Sequence, residues 1–168
     1  MRPSLLGAVL ALVAVSAAIA APGLRVVTSH GIQLTVPTSW ARVPGANAGP
    51  VIDPKTLLVV GTRGVAPRPS QCQIAAYRVP AAGAVVVVVG WTSLKNSGAS
   101  GAKQGRLPLT KLVRVHRPSF ECYSGRGAAA DVVLRGEAYQ VNVMVGARAS
   151  GRVIGQALAV VRSFDLER

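Results

Sequence analysis

Apolar residues recur along this chain at two different periods, and each period predicts a kind of element. In "GIQLTVPTSW", Ile32, Leu34 and Val36 alternate with Gln33 and Thr35. That is the pattern of a half-buried strand, which Pro37 stops. "KTLLVVGTRG" predicts a second strand, ending at Gly61 or Gly64. In "PAAGAVVVVVGW" the valines Val85 to Val89 stand in a row between Gly83 and Gly90. The run is far too short to cross a bilayer. Continuous β-branched residues bounded by turn formers predict a strand buried on both faces.

Further on, "AAADVVLRGEAYQVNVMVGARASG" predicts a hairpin. Val132 and Leu134 lie on one arm, Tyr139, Val141, Val143 and Val145 on the other, with the turn at Arg135-Gly136-Glu137. The period then changes. Ile154, Ala157, Leu158, Val161 and Phe164 fall at helical spacing, while Arg152, Gln156 and Arg162 lie off that stripe and Ser150 is placed to be an N-cap. "CQIAAYRVP" fits a strand and one or two helical turns equally. The Pro-, Gly- and Asn-rich stretches "ARVPGANAGPVIDP", "VAPRPSQ" and "TSLKNSGASGAKQGRLP" read as loops, the last on the surface. No internal repeat is visible. The fold class that follows is α+β: a mainly antiparallel β-sheet with a C-terminal amphipathic helix packed on one face.

The first stretch changes the picture of where the chain works. Arg2, the apolar run from Leu5 to Ala20 and the small-x-small site Ala18-Ile19-Ala20 have the layout of a secretory signal peptide. The rival reading is an uncleaved membrane anchor, for which the run is of marginal length. The expected organisation is a signal peptide over 1–20, an N-terminal lead over 21–30 and one globular α+β domain over 31–168. Without the signal no transmembrane span is expected, and the mature protein is expected to be secreted, in the cell envelope. Cys72 and Cys122 are then expected to pair as a disulfide. The rival is a reactive thiol near His30 or His116.

Charge narrows the partners. The chain of 168 residues carries 19 Lys and Arg against 6 Asp and Glu, a net charge of +13. Such an excess attracts anionic partners: an anionic envelope component or an acidic protein. GC-rich codons for Ala, Val, Gly, Arg and Pro are a competing source of the arginines. The densest stretch is "KQGRLPLTKLVRVHRP", where Lys103, Arg106, Lys111, Arg114 and Arg117 occur with no acid among them. Read as a strand, it places Lys111, Val113 and Val115 on one face and Leu112, Arg114 and His116 on the other. These five cations are the candidate anion-binding residues, as point charges and forks for phosphate or carboxylate. The competing reading is an edge strand kept soluble by outward charge.

Taken in order, "LTVPTSW", the apolar strands, the late hairpin "GEAYQVNVMVG" and the closing "ALAVVRSFDLE" resemble small secreted bacterial domains of the PsbP-like fold. The resemblance implies a non-catalytic α/β sandwich that docks on larger assemblies, and it carries over no functional residue. The strong basicity, the cysteine pair and the sparse helix in the middle depart from that pattern.

Little else in the chain carries chemistry. The two histidines lie far apart and the acids are scattered, which is not the clustering a metal needs, and no cofactor is implied. Asp131 and Glu137 flank the predicted hairpin and read as solvated rather than as a catalytic pair. "SGASG" falls one residue short of a nucleophile elbow and lacks the Gly-Lys-Ser/Thr of a phosphate loop. The few aromatics do not interleave with the basic run, so specific nucleic-acid binding is not expected. The expected function is a secreted, non-enzymatic binding or docking module with a basic face. The alternatives are a secreted hydrolase with an unrecognised site and a structural subunit of an envelope complex.

Overall fold

Alternation along one strand organises this molecule into two cores. The structure is a computed structural model, and it describes residues 23–46, 53–91, 105–112, 114–118 and 120–167. The signal-peptide expectation, Lys103, Val113 and most of the Gly-rich loop lie outside them. The strands are β1 (Leu24–Ser29), β2 (Ile32–Pro37), β3 (Ala41–Arg42), β4 (Lys55–Gly61), β5 (Ala66–Pro67), β6 (Tyr77–Arg78), β7 (Ala84–Gly90), β8 (Arg117–Pro118), β9 (Arg126–Leu134), β10 (Glu137–Val145) and β11 (Asp165–Leu166). Among the described residues a helix, α1 (Gly151–Arg162), lies near the C-terminus, and a 3-10 turn covers Phe120–Cys122. The pairings are antiparallel, in sheets ordered β1-β2-β11, β3-β4-β7-β10-β9-β8 and β5-β6. This is an α+β protein built mainly of antiparallel sheet.

The valine strand, β7, sits inside the largest sheet, between β4 and β10. Successive side chains of a strand point to opposite faces, so Val86 and Val88 leave the sheet on one side and Val85, Val87 and Val89 on the other. The first set enters a core with Leu34, Val36, Leu58, Val60, Val141, Val143, Leu158, Val161 and Phe164. The second set meets Val59, Ile74, Tyr77, Phe120, Tyr123 and Met144. All five valines are fully buried, which is why the run has no polar alternation.

Two hairpins turn on the same device. Leu134 pairs with Glu137 across Arg135 and Gly136, whose φ angles are 50° and 78°. Ser29 pairs with Ile32 across His30 and Gly31, at φ 51° and 73°. Positive φ at both central residues marks the turn whose twist matches antiparallel strands, and the second position favours glycine. The second hairpin adds a strand within the 21–30 lead that the sequence reading did not predict: Leu24–Ser29 pairs with β2 along its whole length. β1 buries Val27 but leaves Leu24 and Val26 67% and 57% exposed, so its alternation had nothing to mark it as half-buried.

At the other end, the Ser150 hydroxyl accepts from the Val153 N–H, the N-cap expected from sequence. Arg162 occupies the last turn, where a cation suits the helix dipole. Ala157, Leu158, Val160 and Val161 are buried, and Ser163 ties the helix end to β2 by accepting from the Thr35 N–H at 2.8 Å. No described helix is long and apolar enough to cross a membrane.

Candidate functional site: a basic segment beside an open strand edge

The basic stretch does not form the strand predicted for it. From 105 to 116 the described residues have no ladder partner, and only Arg117–Pro118 pairs, as β8 with Gly127 and Arg126. Leu109, Leu112 and Val115 are buried and join the first core. Inward residues thus recur every third position, and Leu112 faces the same core as Val115 rather than the opposite side. Pro108 and Pro118 contribute no N–H, so a continuous ladder is denied at both ends of the segment. Three apolar anchors fix the chain path instead.

Between those anchors the cations point outward. Arg106, Lys111, Arg114 and Arg117 are exposed, as is His116. The Arg117 guanidinium lies 6.0 Å from the centre of the Phe120 ring, within cation–π reach. Arg106 and Lys111 line a groove of about 570 Å³, whose walls are residues 105–112 on one side and Ala129, Ala130, Asp131 and Val132 on the other. Arg114 and Arg117 are not part of its lining. The carboxylate of Asp131, exposed on β9, is the acid of the groove.

Gly105 opens the groove at one end. Its N–H donates to the Val133 carbonyl at 3.1 Å, and a Cβ there would run into the Val132 side chain. Only glycine lets the backbone approach β9 this closely. The opposite wall is made of small residues because β9 reads Ala128-Ala129-Ala130 before Asp131. Sequence reasoning picked out the cations but not this wall, since β9 becomes its neighbour only through pairing of residues distant in the chain.

The other chemical candidates resolve differently. Cys72 and Cys122 form a disulfide, with Cα atoms 6.3 Å apart, which removes the reactive-thiol reading. Register places Asp131 with Gln140, while Glu137 shares a parity with Tyr139. The two carboxyl groups therefore project from opposite faces and form no acid–base pair. Among the described residues no group of three or more His, Cys, Asp or Glu could hold a metal.

One serine–histidine contact went unseen in the sequence. His30 Nδ1 lies 2.9 Å from Ser29 Oγ and 2.9 Å from the Leu57 carbonyl, and Arg42 Nη2 donates to the same Oγ at 2.9 Å. A carbonyl only accepts, so Nδ1 bears the proton and has no lone pair left to take one from Ser29. The arrangement is a turn cap rather than a nucleophile and its base.

Compared with known protein families, with curated proteins and with solved structures, the chain matches none of them.

Proposed function

We propose that this protein is a secreted, non-enzymatic docking module of the cell envelope whose basic 105–118 segment engages an anionic partner. The observation that carries the reading is the division of labour within that segment. Leu109, Leu112 and Val115 are buried while Arg106, Lys111, Arg114 and Arg117 are exposed between and beyond them. Buried anchors limit the freedom of the backbone, so a partner meets cations whose positions are already restricted. The net charge of +13 adds long-range attraction to any anionic surface. The Cys72–Cys122 disulfide fits an oxidising, extracytoplasmic compartment. In this reading α1 is amphipathic, with buried Ala157, Leu158 and Val161 turned to one face of the large sheet and exposed Arg152 and Arg162 turned away. The PsbP-like resemblance belongs to the same reading, as a docking fold without chemistry of its own.

The test is binding to anionic vesicles, wall polymer and acidic protein, repeated as salt rises. Screening shortens the reach of exposed charges from about 10 Å at about 0.1 M to about 3 Å at about 1 M salt. Binding is expected to weaken over that range, and to weaken again in Arg114→Glu, whose side chain is exposed and leaves the apolar anchors in place. Affinity that ignores both salt and Arg114→Glu overturns the proposal.

A further inference from the structure

The open edge of β9 points to a specific kind of partner. On one side β9 pairs with β10 from Arg126 to Leu134. On the other, β8 covers only Arg126 and Gly127, and Gly105 reaches only Val133. In an antiparallel ladder, alternate residues turn both N–H and C=O to the same side. The Val133 carbonyl faces the Gly105 side, so Ala129 and Asp131 turn their N–H and C=O groups that way too. Among the described residues, no backbone group pairs with these four. They face the groove, and Arg106 and Lys111 stand on its far wall.

We infer that the groove receives an acidic segment of a partner protein in extended conformation, added as a strand to the edge of β9. The inference rests on the docking reading above and names its partner. Main-chain hydrogen bonds to Ala129 and Asp131 supply affinity, as in other strand additions. The distance from Gly127 to Val133 corresponds to about 20 Å of strand, room for about five added residues. The alanine side chains of β9 keep the edge approachable from either face. Arg106 and Lys111 select acidic side chains. Asp131 fixes the register, because a carboxylate directly opposite it is disfavoured. A second copy of this chain is a poor occupant, since pairing two β9 edges brings two arginine-rich segments together.

The experiment compares two synthetic peptides of equal negative charge: one alternating Glu and Val, the other with prolines at the positions that must donate to the ladder. Binding to the full disulfide-bonded protein is measured by titration, and the Ala129 and Asp131 amides are followed by hydrogen exchange. These two amides are expected to exchange fast in the free protein and to become protected by the first peptide only. That peptide is expected to bind at least about tenfold tighter than its proline analogue, a difference equivalent to about 1.4 kcal/mol. Ala129→Pro, which removes the outward N–H and fixes φ at one edge position, is expected to erase the difference, with its melting temperature as the control for folding.

Equal binding of both peptides, with the amides unprotected, overturns strand addition and leaves the docking reading standing. Slow exchange of Ala129 and Asp131 in the free protein overturns it as well, because the edge is then already paired. Binding of anionic vesicles but of neither peptide assigns the basic segment to a lipid surface. Failure of peptides, vesicles and wall polymer alike at low salt removes both proposals.

Discussion

The two cores on either side of the valine strand are stabilised by different means. The first is lined by residues of β2 and the C-terminal helix, elements that satisfy their own backbone hydrogen bonds, together with Leu109, Leu112 and Val115 of the irregular basic segment. Within it Tyr139 and Phe164 pack with ring centres 5.5 Å apart in a tilted arrangement. The second is lined by the chain from Ala66 to Arg78, irregular between the two-residue strands β5 and β6, and by the 3-10 turn at Phe120. There the backbone must be satisfied piecemeal. The Ala46 N–H donates to the Tyr77 hydroxyl at 3.0 Å, the Tyr123 hydroxyl donates to the Val145 carbonyl at 3.1 Å, and Arg68 Nε donates to the Ala75 carbonyl. The disulfide joins the two irregular segments. Regular elements supply most of the first core, and side-chain hydrogen bonds and a disulfide tie the irregular segments over the second.

The largest expected effect falls on the cross-linked side. Replacing both cysteines by serine removes a link between residues 50 apart and is expected to cost about 4 kcal/mol on the chain-entropy account. Thermal unfolding reads the loss. Hydrogen exchange sharpens it, since amides from Arg68 to Arg78 are expected to gain more exchange than those of α1. Equal acceleration on both sides would break the contrast between the cores. Next comes Leu34→Ala, which leaves a void in the first core and is expected to cost about 3 kcal/mol. Combined with the cysteine pair, its effect is expected to add to within about 0.5 kcal/mol, the signature of sites that share no partners. A coupling well above that would make the two cores one.

The two tyrosines give a pH test. Burial raises the Tyr77 hydroxyl above its usual range, against smaller opposing contributions from the Ala46 N–H and Thr56. Burial also raises Tyr123, opposed by the nearby Arg68 charge. The folded state therefore holds these protons to higher pH than the unfolded chain, whose tyrosines titrate near about 10. Stability is expected to be unaffected by them below that pH and to fall as pH rises past it. Melting curves from about pH 8 to about pH 11 should show the fall, and Tyr123→Phe should flatten it while costing about 1 kcal/mol at neutral pH through the lost bond to Val145.

The smallest effect has the opposite sign. Asn142 is fully buried beside Val87, its Oδ1 has no partner among the described residues, and its Nδ2 bonds are long, at 3.3 and 3.4 Å. Asn142→Val is expected to raise stability by up to about 1 kcal/mol, because it removes an unsatisfied buried group. A loss of that size in chemical denaturation would mean that the long bonds hold the second core in register.

What the sequence disclosed follows the same division. β2, the valine strand, the β9–β10 hairpin and the helix with its Ser150 cap were readable because a regular element repeats its environment. β1 was missed because its apolar Leu24 and Val26 face solvent, and because a His30-Gly31 turn carries no strong local signal. Residues 72–80 stayed ambiguous because Ile74, Ala75, Ala76 and Tyr77 are all buried in a path that is neither helix nor strand for most of its length. At the site, the alternation in "KLVRVH" suggested a strand, while Leu109, Leu112 and Val115 anchor an irregular path. The cations could be chosen from the sequence. The groove could not, because its far wall comes from β9.

The valine strand has a cost during folding. Val85–Val89 is apolar on both faces, free of charge and free of proline, the composition that favours cross-β stacking. Its β4 partner precedes it in the chain, but its β10 partner arrives only with residues 137–145. Until then one edge of a wholly apolar strand stands open, and slow non-local pairing prolongs that interval. The positive charge spread through the rest of the chain repels one nascent copy from another during that time, so the arginines also oppose self-assembly while the strand is open.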